Sequence, residues 1–392
     1  MRDYWEQPEK KKINAKKIII SILIAIIVIA IIVLTALYVS NEEFRDWIDI
    51  QVFRKEISQD KVAVIELEEE QSSNVYAFNH YIGILNKNKL SLYGTTGSEE
   101  ASLDMEITTP LFNSSNRFLI VGEQNGQKIY LIEDKKIIWN SEVEGNISQV
   151  YVNKNGYVAV IISGTSYKSV VQVFDPEGNA LFKRFLSSTI AMDVSISNDN
   201  KYLAIADVDT SGTIIQSHIR VISIEDARTD PSNSEENNYQ SEQNKLIIDI
   251  EYQDKNRIVC MYTDKISVIE NGQETTMFEN DDKKIIAQSV KLNNNFVTIE
   301  EESSGIFSAN SVVNIVDIDT RNIKNYTLES SVKEIYTKGD IIVLNLGTEV
   351  EFINTGGWLV KRYIASQEVT NVTVSNSIAG IIYRDKVEII NL

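Results

Sequence analysis

A β-propeller of about eight blades, with seven as the alternative count, is the all-β fold expected here, and one N-terminal transmembrane helix is expected ahead of it. Three features lead to this reading. Short apolar runs punctuated by turn residues recur from residue 61 to the end of the chain. Their repeat is about 40 residues, a common blade period. A charge-free apolar run of 22 residues occupies positions 18–39, long enough to span a bilayer.

The unit is clearest at residues 147–186. Asn155-Gly156 supplies residues that tolerate positive φ, as two-residue hairpin turns require. Asp175-Pro176-Glu177-Gly178 suits a type I turn, with Pro fixing φ at its second position. Between these turns the chain is apolar on both faces at 157–163, less strictly alternating at 169–174, and most polar at 180–186. Four antiparallel strands with that gradient describe a blade running from a central axis to an outer edge. Further copies open near Asn74, Thr108, Ile147, Ala191, Leu246, Ile286, Val332 and Thr370. The last copy has three strands only, and KVAVIELE at 61–68 is the expected fourth. Pairing the two ends would close the ring and cover an open edge. In the fourth copy the outer strand is expected to be missing, because 228–245 is almost devoid of apolar residues and reads as a mobile insertion.

The expected division is therefore a basic tail at 1–17, a transmembrane helix at 18–39, a juxtamembrane stalk at 40–60 and a propeller at 61–392. In the stalk Phe44, Ile48 and Val52 recur every four residues beside Trp47, the spacing of a short amphipathic helix. The anchor makes the lipid bilayer the first expected partner. The tail carries Arg2 and five lysines, a flank that stays cytoplasmic and sends the propeller outside the cell. With +3 on the tail, the −18 of the whole chain leaves −21 on the remainder. Such a surface disfavours nucleic acid.

Hydrophobic residues make up 43% of the chain, enough for a large core. Cys260 is the single cysteine, which rules out an intramolecular disulfide framework. His80 and His218 are the only histidines; both read as surface or turn residues, and neither has a nearby triad motif. Asp207, Asp209 and Ser211, followed by Gly212, resemble the start of a calcium loop. Ile215 and His218 stand where a later carboxylate is needed, so calcium is at most a weak cofactor reading and none is expected otherwise. Trp139 and Trp358 each open a fourth strand and are expected to wedge between blades with the indole N–H bonded to backbone. Arg257, Tyr262, Asp317 and Arg384 are the residue types that an enzymatic central funnel would bring together.

Residues 126–148, GQKIYLIEDKKIIWNSEVEGNIS, resemble a repeat of the quinoprotein-like propellers with their docking Trp. SNDNKYLAIA at 197–206 resembles the turn-strand of WD-repeat propellers. The basic tail, the single span, FRDWID at 44–49 and the final AGIIYRDKVEII together resemble an uncharacterised family. Its members are single-pass, membrane-anchored proteins of clostridia-like Gram-positive bacteria with a domain of unknown function. The resemblance implies host and topology, and no mechanism. The functional expectation is a non-enzymatic extracytoplasmic module that binds or scaffolds a protein or cell-wall component. An enzyme or a ligand sensor using the central funnel is the alternative.

Overall fold

Asp175, the first residue of the Asp-Pro-Glu-Gly turn, accepts the N–H groups of Glu177 and Asn179 through its Oδ1 at 3.1 and 2.8 Å. Gly178 closes the turn at φ +87°, a left-handed conformation that suits glycine. At Asn155-Gly156 only Gly156 has positive φ, at +85°. The turn is therefore wider than the expected two-residue hairpin: Gly156 N–H bonds back to Asn153 O at 3.0 Å.

These turns join strands in a computed structural model that describes residues 15–40, 44, 48, 62–68, 74–280, 284–303 and 309–392. Two units are present, Met1–Lys55 and Glu56–Leu392. In the first, one helix runs from Ala15 to Ser40. Its side chains are described at Leu23, Ile24 and 26–40, and over the described residues no helix is long and apolar enough to cross a membrane. The expected tail at 1–17 and stalk at 40–60 lie outside the described residues except for the ends of this helix and for Phe44 and Ile48, both helical and half-buried.

The second unit is an eight-bladed β-propeller: eight four-stranded sheets, each antiparallel. Blades are numbered here in the order their inner strands occur. Those strands are Val75–Phe78, Pro110–Ser115, Asn146–Val152, Thr189–Ile196, Ile247–Tyr252, Ile285–Leu292, Glu334–Lys338 and Asn371–Val374. Blade 3 has the expected gradient. Its second strand, Val158–Ser163, and third strand, Ser169–Phe174, are buried almost throughout, while the outer strand, Ala180–Leu186, alternates. A strand covered on both faces by neighbouring blades loses the alternation that a half-exposed strand keeps.

Blade 8 is closed by the start of the propeller. Ala63–Glu66 pairs with Lys386–Asn391, and Leu67 N–H bonds Asp385 O at 2.8 Å. Ile65 and Leu67 are buried there.

Inner strands leave one edge of backbone donors unpaired by any sheet, and buried donors need partners. Side chains of the preceding blade supply them. Thr373 Oγ1 accepts Ala77 N–H at 2.7 Å, Asn113 Oδ1 accepts Val152 N–H at 3.1 Å, and Asp193 Oδ2 accepts Ile250 N–H at 2.9 Å.

Blade 4 departs from expectation at its rim. Residues 228–245 do not replace the outer strand: Glu235–Gln240 forms it, paired with the third strand, Gln216–Ser223. One helical turn, Ile224–Ala227, precedes it, capped by Ser223. An outermost strand faces water on much of its surface, so apolar content is no guide to it. Here ion pairs fix it: Glu235 meets Arg184 at 2.6 Å and Arg220 at 3.2 Å.

Candidate functional site

A channel of ≈ 1000 Å³ runs along the propeller axis, lined by residues of all eight blades. Its lining concentrates where inner strands turn into second strands. Asparagines rim that mouth, among them Asn116, Asn198, Asn293 and Asn376. Tyr76 of blade 1 and Phe112 of blade 2 stack in the wall, ring centroids 5.2 Å apart.

Deeper in the wall, blades 4, 5 and 6 share one lysine. Lys291 Nζ lies 2.6 Å from Asp249 Oδ1, 3.0 Å from Glu251 Oε2 and 3.4 Å from Asp193 Oδ2. It donates to the carbonyl of Ile250 at 2.9 Å. Tyr151 of blade 3 completes the cluster, its hydroxyl 3.0 Å from Ser195 Oγ and donating to Glu251 at 3.2 Å. Gln149 donates to Asp193 Oδ1 at 2.6 Å. Strand bulges help to build this wall. The inner strands of blades 4 and 5 each carry one extra residue, between Ala191 and Asp193 and between Ile247 and Asp249. A bulge re-aims the side chains that follow it.

Burial pushes the Asp249 carboxyl up to about 8, against the pull of Lys291, and a hydrogen bond with Asp193 raises it further. Burial also works against the charge of Asp193, but Lys291, Asp249 and the Ile250 N–H hold that carboxyl below its usual range. The pair therefore splits at neutral pH into one acid and one carboxylate. Burial opposes the charge on Lys291, and the neighbouring Asp193, Glu251 and Asp249 overcome it. Perturbed titratable groups facing a cavity are a frequent mark of function. Structural ion pairs produce them too.

At the other end of the propeller, second strands turn into third strands and outer strands hand over to the next blade. The bulged residues Met192 and Ile248 emerge at that end. Around them stand Tyr167, Phe185, Ile190, Ile214 and Ile215, and all seven side chains are between 36% and 49% exposed. Tyr167 and Phe185 pack together, centroids 4.7 Å apart. Seven part-exposed apolar side chains on one end of three consecutive blades make a patch, whereas single exposed ones mean little.

A family model matches residues 54–392, and its description is a family of unknown function, DUF5711. The chain belongs to the DUF5711 family. Comparison of this DUF5711 chain with curated proteins finds no match. Among solved structures it is similar to BamB from Moraxella catarrhalis, at 12% identity and TM-score 0.50, covering 85% of this chain and 99% of that one. It is similar to Sqt1 from Chaetomium thermophilum bound to the N-terminus of the ribosomal protein L10, at 11% identity and TM-score 0.51, covering 86% and 100%. It is also similar to the C-terminal WD40 domain of Sif2, at 12% identity and TM-score 0.56, covering 84% and 98%. At these identities the likeness concerns the fold alone.

The DUF5711 propeller scatters the residues that its sequence singles out. Arg257, Tyr262, Asp317 and Arg384 do not meet in the channel, and none of them lines it. Arg257 is 3% exposed and joins blades 5 and 6 through Asp319 at 2.6 Å and Asn294. Tyr262 donates to Glu274 at 2.9 Å within blade 5. Asp317 holds a turn by accepting the N–H and hydroxyl of Thr320. Arg384 sits in the loop between second and third strands of blade 8.

Asp207 is fully buried and binds His218 Nδ1 at 3.0 Å and Arg220. Asp209, at the strand end, accepts the N–H and hydroxyl of Ser211 at 2.8 and 2.7 Å. Among the described residues no group of three or more His, Cys, Asp or Glu side chains could hold a metal ion. His218 is buried, unlike the surface residue expected, because the Asp207 carboxylate at 3.0 Å gives its ring a partner inside the blade. His80 is exposed and bonded to Ser377 at 2.8 Å. Trp139 wedges between blades as expected. Trp358 does not: it closes the turn that begins at Asn354 and is 62% exposed. Sequence reading missed Asp193, Asp249, Glu251 and Lys291. Alternating Asp249 and Glu251 in an inner strand was the available signal.

Proposed function

We propose that this chain is a membrane-anchored, extracytoplasmic propeller that binds a protein or cell-wall component without catalysing a reaction. The observation that carries the binding reading is the apolar face over blades 3 to 5, where Tyr167, Phe185, Met192 and Ile215 stand open to solvent. Interface centres favour aromatic and Met side chains with few charges. The loops on that face, GTSYK at 164–168 and TSGTII at 210–215, add hydroxyl groups and a single lysine. A propeller is a rigid carrier for such loops, and its closed ring holds them in fixed geometry. A partner made of protein is the better match to this face, since wall glycan is more hydrophilic.

The anchor reading is supported by the charge-free run at 18–39, which falls within the helix Ala15–Ser40. Leu23, Ile24, Ile31 and Ile32 on this helix are each more than half exposed. The lysine-rich flank before it supports an external propeller.

A photoreactive side chain at Ile215 in native membranes tests the proposal, with one at Asn116 on the other end as the control. The expected result is a discrete adduct from position 215 that disappears on Phe185→Asp and is absent from position 116. Failure to form an adduct at 215, or an adduct indifferent to Phe185→Asp, overturns it.

A further inference from the structure

Lys338 is the last residue of the inner strand of blade 7, and its ammonium donates to the main-chain carbonyl of Ser114 in blade 2. The side chain thus links the inner strands of blades 7 and 2 inside the channel. Among the described residues no carboxylate lies within ion-pair distance of it, and the same holds for Lys154 at the same mouth. Both line the channel. The contrast is with Lys291, whose ammonium lies within ion-pair distance of Asp193, Asp249 and Glu251. In a chain of net charge −18, a half-buried lysine held only by a carbonyl is an unused cation. An ammonium has three donors, and the carbonyl takes one.

We infer that this mouth of the channel is a binding site for a single carboxylate, fitting the C-terminus of a peptide with an apolar last residue. The ammonium of Lys338 would receive the carboxylate, since charge-assisted hydrogen bonds are the strong ones. Tyr76 and Phe112, stacked in the wall of the same channel, supply an apolar surface for the last side chain. Asn116 and Asn376 on the rim offer amide groups to the preceding peptide bonds. At ≈ 1000 Å³ the cavity holds several residues. Charge favours the smaller anion. Glu251 and Asp254 line the same channel as the spare ammoniums of Lys338 and Lys154, so a dianionic phosphate meets stronger repulsion from those carboxylates than a monoanionic carboxylate does. The inference stands on the channel alone and uses no residue of the apolar face.

The test uses the full chain in detergent micelles with lysine labelled at Cε with carbon-13, the Lys338 signal being assigned from its loss in Lys338→Met. The probes are Ala-Ala-Phe as free acid, the same peptide as C-terminal amide, and inorganic phosphate. A saturable shift of the Lys338 signal with the free acid is expected, with affinity for the amide weaker by roughly tenfold or more. The free acid should also raise the melting temperature of the wild type and not of Lys338→Met. No saturable shift with the free acid overturns the inference, as does equal binding of the amide. Tighter binding of phosphate overturns the assignment of ligand class. The wild-type titration decides the matter even if Lys338→Met fails to fold.

Discussion

The indole N–H of Trp139, in the outer strand of blade 2, donates to the carbonyl of Pro176 in blade 3 at 3.1 Å. The ring also stacks on Phe174, centroids 5.5 Å apart. Gly178 lies directly under it: a Cβ built there would meet the indole at 2.7 Å. One turn of blade 3 is therefore shaped to receive a side chain of blade 2. Trp139→Phe should cost about 1 kcal/mol, the net worth of the lost hydrogen bond, and Gly178→Ala should cost more because φ strain adds to the clash. Denaturant titration of both and of Gly178→Ala in a Trp139→Ala background checks this. Removing the indole should relieve the clash and leave only the φ strain; strictly additive costs would contradict the packing described.

Asp249 makes stability depend on pH. Its folded carboxyl is raised to about 8, while the unfolded one titrates near about 4. The stabilisation that this group contributes is complete below about pH 4 and is lost as pH rises toward 8. Asp249→Asn removes that slope and keeps a donor for Asp193. The variant should be more stable than the wild type at pH 7–8 by on the order of a few kcal/mol, with the gap closing at about pH 4. Parallel melting curves across this range would refute the assignment.

Lys291→Met leaves the Asp193 and Glu251 carboxylates without their cation in the channel wall. The loss at neutral pH should be about 3–5 kcal/mol, as for breaking a buried ion pair from one side. Pairing it with Asp249→Asn and Glu251→Gln should recover part of the loss. If Lys291→Met melts like the wild type, the cluster contributes nothing to holding blades 4 to 6 together.

Ring closure rests on Ala63–Glu66. A chain truncated before residue 70 forfeits the burial of Ile65 and Leu67, about 1.5–3 kcal/mol each, and exposes the edge of Lys386–Asn391. It should melt clearly below a chain truncated before residue 59. Coincident melting temperatures would show that the last blade is stable with three strands.

The proposed orientation rests on the lysines before the proposed anchor at 18–39. A cysteine at Asn233, exposed on blade 4, should react with an impermeant thiol reagent on wall-stripped intact cells. Cys260 is buried and contributes no background. Reaction only after lysis would reverse the topology.

The repeat of turn, apolar strand and turn determined the propeller, the place of all eight inner strands and the strand that closes the ring. These are local patterns: a strand buried on two faces must be apolar, and a tight turn must carry Gly, Asn, Asp or Pro. Tertiary structure alone decided the polar contacts. Asp193 and Lys291 are 98 residues apart in the chain, and they meet because ring geometry brings blades 4 and 6 to one axis. Trp139 lies within the outer strand of blade 2 and Trp358 just before that of blade 7, and Trp139 packs against a turn of the next blade while Trp358 stays exposed. Glu235–Gln240, with Tyr239 as its one apolar residue, forms a strand because Arg220 on the paired strand and Arg184 of blade 3 both hold Glu235. A strand's own residues set its period and burial. The partner of a buried charge depends on which edges the closed ring lays side by side, and no local pattern carries that.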